Sequence, residues 1–145
     1  GRDKLKPLSE GDVVKKALVL REEAAAAERD GVAIPSTDVV FSQCRNARVK
    51  RLEESLNMGF PIDKEDEKGN TLLSLASQNL NQKICEMLLA RNADINHRNA
   101  QGNTPLHFAM AYDSEGTLAE YLIQQGADDT IENALGCTAY DGIGQ

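Results

Sequence analysis

Apolar residues recur along this chain in short helical stripes separated by polar turns that carry glycine. Over residues 9–30, Val13, Ala17, Leu20, Ala24 and Ala27 follow one another at helical spacing, with Val14, Leu18 and Ala25 beside them. Lys15, Lys16, Glu22, Glu23, Glu28 and Arg29 lie largely off that stripe, so the spacing predicts one amphipathic helix. Ser9-Glu10-Gly11-Asp12 has the spacing of a capping box with Asp in place of Glu. Gly31 and Pro35 supply the stop. Shorter stripes follow. Val40, Phe41 and Cys44 mark the inward face of a helix over 38–46, and Val49, Leu52 and Leu56 that of a second over 48–57. The other face of the second helix bears Lys50, Arg51, Glu53 and Glu54, as an outer helix should. A further pair places Leu73, Leu75 and Ala76, then Ile84, Cys85, Leu88 and Leu89, inward, with Thr71 as the cap. A third pair opens at Thr104-Pro105, where proline suits the first helical turn, and runs to Leu122-Ile123.

These pairs are copies of one unit. Gly69-Asn70-Thr71-Leu72-Leu73-Ser74, Leu88-Leu89 and Asn92-Ala93-Asp94 are repeated as Gly102-Asn103-Thr104-Pro105-Leu106-His107, Leu122-Ile123 and Gly126-Ala127-Asp128. Gly69 and Gly102 stand 33 residues apart, and Gly136 follows 34 later because 112–116 holds one extra residue. A period of about 33 is the mark of a helix-pair solenoid, and Thr104-Pro105-Leu106-His107 resembles the start of an ankyrin repeat. The resemblance covers roughly residues 36–145. It implies an all-α ankyrin-repeat solenoid of helix-turn-helix units with β-hairpin fingers at 62–70, 95–103 and 130–137, preceded by the amino-terminal amphipathic helix. Repeats are expected at about 36–65, 66–98 and 99–132, with a partial one at 133–145; residues 1–34 form a tail and capping helix. Gly69, Gly102 and Gly136 are expected at positive φ. The second repeat departs from the family pattern: Leu72 replaces Pro, Ser74 replaces His, and Leu80 stands where Gly often turns the chain. Asn79 and Asn81 are the candidates to make that turn instead. Gly142 and Gly144 weaken the helix of the partial repeat. The amino-terminal helix either covers the apolar side of the first repeat or docks on a partner; at barely three heptads its stripe is short for a coiled coil.

Composition narrows the function classes. The 145 residues carry 16 Lys and Arg against 23 Asp and Glu, a net charge of −7. That balance argues against general nucleic-acid binding and against adsorption to anionic lipid. Aromatic content of 4 %, with no Trp, suits thin helices packed through Leu, Ile and Ala. No run of 18 apolar residues occurs, so no membrane insertion is expected. The opening Gly1-Arg2-Asp3-Lys4 is not a signal peptide and reads as a fragment boundary. Cys44, Cys85 and Cys137 are odd in number and lack C-x-x-C spacing. They read as core thiols of a reducing, intracellular compartment, the expected location being cytoplasmic, with a zinc or disulfide role as the weaker alternative.

No catalytic set converges. The nucleophile elbow, the P-loop and the dinucleotide fingerprint are all missing. Asp63-Lys64-Glu65-Asp66-Glu67-Lys68 lacks the alternating ligands of a calcium loop and reads as a solvated charged hairpin. His97, His107 and Cys137 have no ligand spacing. No enzyme activity, cofactor or metal is expected. In the resemblance, His107 is structural and ties its helix start to the neighbouring loop, while His97 sits on a finger within reach of a partner.

The resemblance implies a protein–protein interaction module that binds through a concave groove lined by finger residues and by the exposed side of each first helix. By register the partner-binding residues are Lys64, Glu65, Lys68, Asn70, Gln78 and Asn79 from the second repeat. The third contributes His97, Arg98, Gln101, Asn103, Tyr112 and Asp113, and the fourth Ile131 and Leu135. Packing is expected to leave these side chains free for recognition. Tyr112, Arg98, Ile131 and Leu135 are the expected anchors; Ile131 and Leu135 could equally be covered by a following repeat. The chain would then act as a monomer or within a hetero-complex. The alternative is an assembly subunit whose groove and amino-terminal helix are both buried in a fixed complex.

Overall fold

A computed structural model describes residues 33–143. The helix expected over 9–30 lies outside the described residues, as does Gly144. Six helices follow in three pairs: α1 (Thr37–Arg45) with α2 (Val49–Asn57), α3 (Leu72–Gln78) with α4 (Gln82–Ala90), and α5 (Pro105–Tyr112) with α6 (Thr117–Gln124). A 3₁₀ turn, Ala139–Asp141, ends the described chain. The chain divides into two compact units, one made of the described residues up to Gln43 with Arg48–Pro61, the other of Cys44–Ala47 with the residues from Ile62 onward.

In the first unit, Ser36 Oγ accepts the Val39 N–H at the start of α1. Val40, Phe41, Leu52, Leu56 and Phe60 are buried. Buried Ser55 is satisfied by donating to Gln43 Oε1 at 2.8 Å. Each such apolar side chain taken from water is worth about 2 kcal/mol.

In the second unit, α3 packs on α4 and α5, and α5 on α6 and on the 3₁₀ turn. Leu72, Leu73, Ile84, Leu88, Leu106 and Leu122 are fully enclosed. Thr71 caps α3 by accepting the Ser74 N–H, and Asn81 caps α4 by accepting that of Ile84. At α5, Thr104 and His107 form a reciprocal capping box with Pro105 in the first turn. The turn between α3 and α4 corrects one expectation. Leu80 itself takes the left-handed conformation, φ 57°, whereas Asn79 and Asn81 remain at −89° and −93°. Closing a helix pair within so few residues fixes which position must reverse the chain, and tertiary packing holds a leucine there at a cost of about 1–2 kcal/mol.

Among the described residues no strand forms. The fingers are hydrogen-bonded turns: Asp66 N–H to the Asn70 carbonyl, Asn99 N–H to that of Asn103, and Asn133 N–H to that of Cys137, at 2.9 to 3.0 Å. Gly69, Gly102 and Gly136 have φ of 78°, 82° and 79°. A Cβ on Gly69 or Gly102 would stand 2.7 Å from the backbone nitrogen of the next finger, whereas one on Gly136 would meet nothing within 4 Å among the described residues.

Candidate protein-interaction face

Each finger is organised by one side chain that closes its own turn. Asp66 Oδ1 accepts the Lys68 and Asn70 N–H groups at 2.8 and 2.9 Å. Asn99 Oδ1 does the same for Gln101 and Asn103, and Asn133 Oδ1 for Leu135 and Cys137. Asparagine adds an amide donor that aspartate lacks. Asn99 Nδ2 donates to Asn70 Oδ1, and Asn133 Nδ2 to Asn103 Oδ1, both at 2.9 Å. A main-chain bond runs beside each: Ala100 N–H to the Lys68 carbonyl and Ala134 N–H to that of Gln101. A parallel row uses Asp63 Oδ1, which accepts the Asp94 N–H, and Asn96 Oδ1, which accepts that of Asp128.

The histidines add one tie at each junction. His107 Nδ1 accepts the Thr104 N–H at 3.2 Å and pairs with the Thr104 hydroxyl at 2.8 Å. Its hydrogen therefore sits on Nε2, which donates to the Cys137 carbonyl at 2.8 Å. Ser74 holds the same place one repeat earlier and is too short to cross, bonding only within its own cap at Thr71. There His97 acts in the reverse direction. Its Nε2 lies 3.0 Å from the Gly69 carbonyl and 2.9 Å from Glu65 Oε2, two acceptors that place a hydrogen on that nitrogen.

Between the fingers and the first helices lies a cleft of about 450 Å³. Glu67, Lys68, Asn70, Asn99, Ala100 and Gln101 line it from the fingers, Gln78 from the end of α3, and Phe108 and Tyr112 from α5. Ile143 closes one edge. Tyr112 is 50 % exposed and its ring stacks on Phe108, with centroids 6.5 Å apart and planes 7° from parallel. A cleft with one preoriented aromatic, four side-chain amides, a lysine and a glutamate offers hydrogen bonds of both senses around an apolar contact.

The sequence pattern of ankyrin repeats, in three copies, matches residues 42–133. The chain belongs to the ankyrin-repeat family. Ankyrin repeats are generally modules for protein–protein interaction. The chain is 31 % identical over 118 residues to human Ankyrin repeat domain-containing protein 13C, which is 80 % of this chain and 22 % of that protein. It is 35 % identical over 74 residues to ADP-ribosylation factor GTPase-activating protein AGD2 of Arabidopsis thaliana, 51 % of this chain and 9 % of that one. It is 39 % identical over 64 residues to human Rabankyrin-5, 44 % of this chain and 5 % of that one. The chain thus spans less than a quarter of the length of each of these relatives.

On this ankyrin face the fourteen residues expected to meet a partner divide. The cleft brings together Lys68, Asn70, Gln78, Gln101 and Tyr112. Lys64, Glu65, Asn79, Arg98 and Leu135 are exposed outside its lining, and His97, Asp113 and Ile131 are half-buried outside it. Asn70 and Asn103 are 8 % and 2 % exposed. They correct the expectation that packing leaves every one of these side chains free, because their amides join adjacent fingers. Arg98 is also drawn into the array: its Nη2 donates to the Glu132 carbonyl at 3.0 Å and its Nε to that of Gly102 at 3.4 Å. Asp113 caps the turn into α6 by accepting the Leu118 and Glu115 N–H groups, and those bonds hold its carboxyl below the usual range. Of the four expected anchors, Tyr112 lines the cleft.

The ladder of Asn70, Asn99, Asn103 and Asn133 was missed by sequence reasoning, although Asn70 and Asn103 are 33 apart and Asn99 and Asn133 are 34 apart. The remaining chemistry is quiet. Burial pushes the Cys44 thiol up to about 12 and that of Cys85 up to about 11, so both stay protonated. Among the described residues no group of three or more His, Cys, Asp or Glu is placed to hold a metal ion. No described helix is long and apolar enough to cross a membrane.

Proposed function

We propose that this chain is a recognition module that grips a segment of another protein in the cleft between its fingers and first helices. Lys68, Gln78, Gln101 and Tyr112 make the contact, and Lys64, Glu65, Asn79 and Leu135 flank it. The observation that carries this reading is the division of side chains. Asn70, Asn103 and Arg98 are engaged in holding the array and Asp113 in capping α6, while the side chains of Lys68, Gln78, Gln101 and Tyr112 line the cleft without joining the junction bonds described above. A half-exposed tyrosine already stacked on a neighbour loses little freedom on binding, which suits an interface anchor. The module binds and performs no catalysis; GTPase activation is named for one longer relative and is not assigned here. Two enclosed protonated thiols suit a reducing, intracellular setting.

The test is comparative capture from a cell extract, with Tyr112→Ala/Gln101→Ala in the cleft and Lys83→Ala on the exposed face of α4. A protein bound by the wild type should be lost from the cleft variant by about fivefold or more and kept by the α4 variant. Equal retention by all three chains overturns the reading.

A further inference from the structure

The bonds between the first two fingers leave one amide donor over. Asn99 Oδ1 accepts two N–H groups, from Gln101 and Asn103. That fixes which end of the Asn99 amide is oxygen, so its Nδ2 is the atom that faces Asn70. Asn70 must then present Oδ1 to Asn99, and its own Nδ2 has no hydrogen-bond partner among the described residues. Asn70 is 8 % exposed and lines the cleft. Buried polar groups are nearly always paired. A donor set in the wall of an open cleft, with its oxygen already engaged, is placed to meet an acceptor that enters.

Resting on the cleft reading above, we infer that the segment held there is extended, and that one of its main-chain carbonyls accepts from Asn70 Nδ2. The acceptor is a neutral one. Glu67 and Lys68 give the lining one charge of each sign, so an anion drawn to Lys68 meets Glu67 as well. Gln78 and Gln101 stand in the same lining, and each amide offers both a donor and an acceptor. An extended main chain presents a free carbonyl and a free N–H at every residue and matches that set. The interior of a helix does not, because its carbonyls are bonded to its own N–H groups. Tyr112, its ring stacked on Phe108, takes an apolar side chain of the segment. The partner is therefore a helix-free stretch of another protein, without net charge, carrying an aromatic or large aliphatic residue.

The test follows the side-chain NMR signals of Asn70 and Tyr112 in the whole chain, labelled with nitrogen-15 and carbon-13, against three probes. The first is the blocked peptide acetyl-Pro-Phe-Pro-amide, which the prolines hold extended. The second is a stapled helix of about 14 residues bearing one Phe. The third is acetate, a bare carboxylate. The extended peptide should move both signals saturably, at a concentration on the order of 1 mM, with the Asn70 amide shifting downfield. The helix and acetate should leave the Asn70 amide in place or bind at least about fivefold more weakly. Asn70→Asp keeps the oxygen that Asn99 needs and exchanges the leftover donor for an acceptor. It should weaken the extended peptide about fivefold or more with unchanged circular dichroism, and the wild-type amide shift stands as evidence whether or not that variant folds. Movement of Tyr112 with a stationary Asn70 amide overturns this inference and leaves the cleft reading in place. Movement of neither signal with any probe counts against both. Tighter binding of the helix or of acetate, or wild-type affinity in a folded Asn70→Asp, also overturns the inference.

Discussion

The junction between the fingers at 62–70 and 95–103 and the junction between those at 95–103 and 130–137 are built from the same sequence unit, yet they are closed differently. Both share an Asn-to-Asn bond, a main-chain bond beside it, and an N–H held by Asp63 or Asn96. They differ in the tie added to these. At the later junction His107 reaches forward from α5 to the Cys137 carbonyl, and Arg98 reaches the Glu132 carbonyl. At the earlier one Ser74 cannot reach, and His97 reaches back from its finger to the Gly69 carbonyl and Glu65. A repeat therefore has bonds fixed by its geometry and others that any suitably placed donor can supply. Replacing one kind should cost more than replacing the other.

The largest effect is expected where the backbones touch. Gly102→Ala and Gly69→Ala each drive a Cβ to 2.7 Å from a backbone nitrogen at positive φ. Each should cost about 3 kcal/mol in chemical denaturation. Gly136→Ala has the same φ with open space around it and should cost only about 1 kcal/mol. Equal losses at all three would mean that conformation alone matters and that the fingers are not in contact.

Next in size is the shared bond. Asn133→Asp keeps the turn-closing oxygen but sets a carboxylate against Asn103 Oδ1 at a position 5 % exposed. A loss of about 2 kcal/mol is expected, from an unmet acceptor and a partly buried charge. His107→Ala, which leaves the Cys137 carbonyl and the Thr104 N–H without their partner, should cost a similar amount. His97→Ala should cost about 1 kcal/mol, because its side chain is 17 % exposed and water can replace it. If His97→Ala costs as much as His107→Ala, the two ties are equivalent and the distinction fails.

The smallest expected change has the opposite sign. Leu80→Gly relieves the left-handed leucine and should gain up to about 1 kcal/mol, net of the chain entropy glycine adds.

Much of this was legible in the sequence. The 33-residue spacing of Gly69 and Gly102, the Thr104-to-His107 signature and the apolar stripes are local facts, and they locate the helix pairs to within about two residues. The fingers were harder to read. A polar residue in a loop is ordinarily solvated, so Asn70 and Asn103 read as available surface; only the neighbouring finger shows that their amides are taken. The bonds of Arg98 and Asp113 are hidden from the sequence for the same reason, since long-range carbonyls and a helix start engage them. Leu80 shows the reverse case, in which packing overrides what a side chain would choose locally. Lys68, Gln78, Gln101 and Tyr112 share one cleft because first-helix ends and fingertips follow directly from the repeat.

The central claim is that the side chains of Lys68, Gln78, Gln101 and Tyr112, which line the cleft, are not the ones that hold the fingers together. Chemical denaturation of Lys68→Ala/Gln78→Ala/Gln101→Ala beside Asn133→Asp tests it most directly. The account predicts that the triple variant unfolds within about 0.5 kcal/mol of wild type while Asn133→Asp loses about 2 kcal/mol. A triple variant as unstable as Asn133→Asp would contradict it.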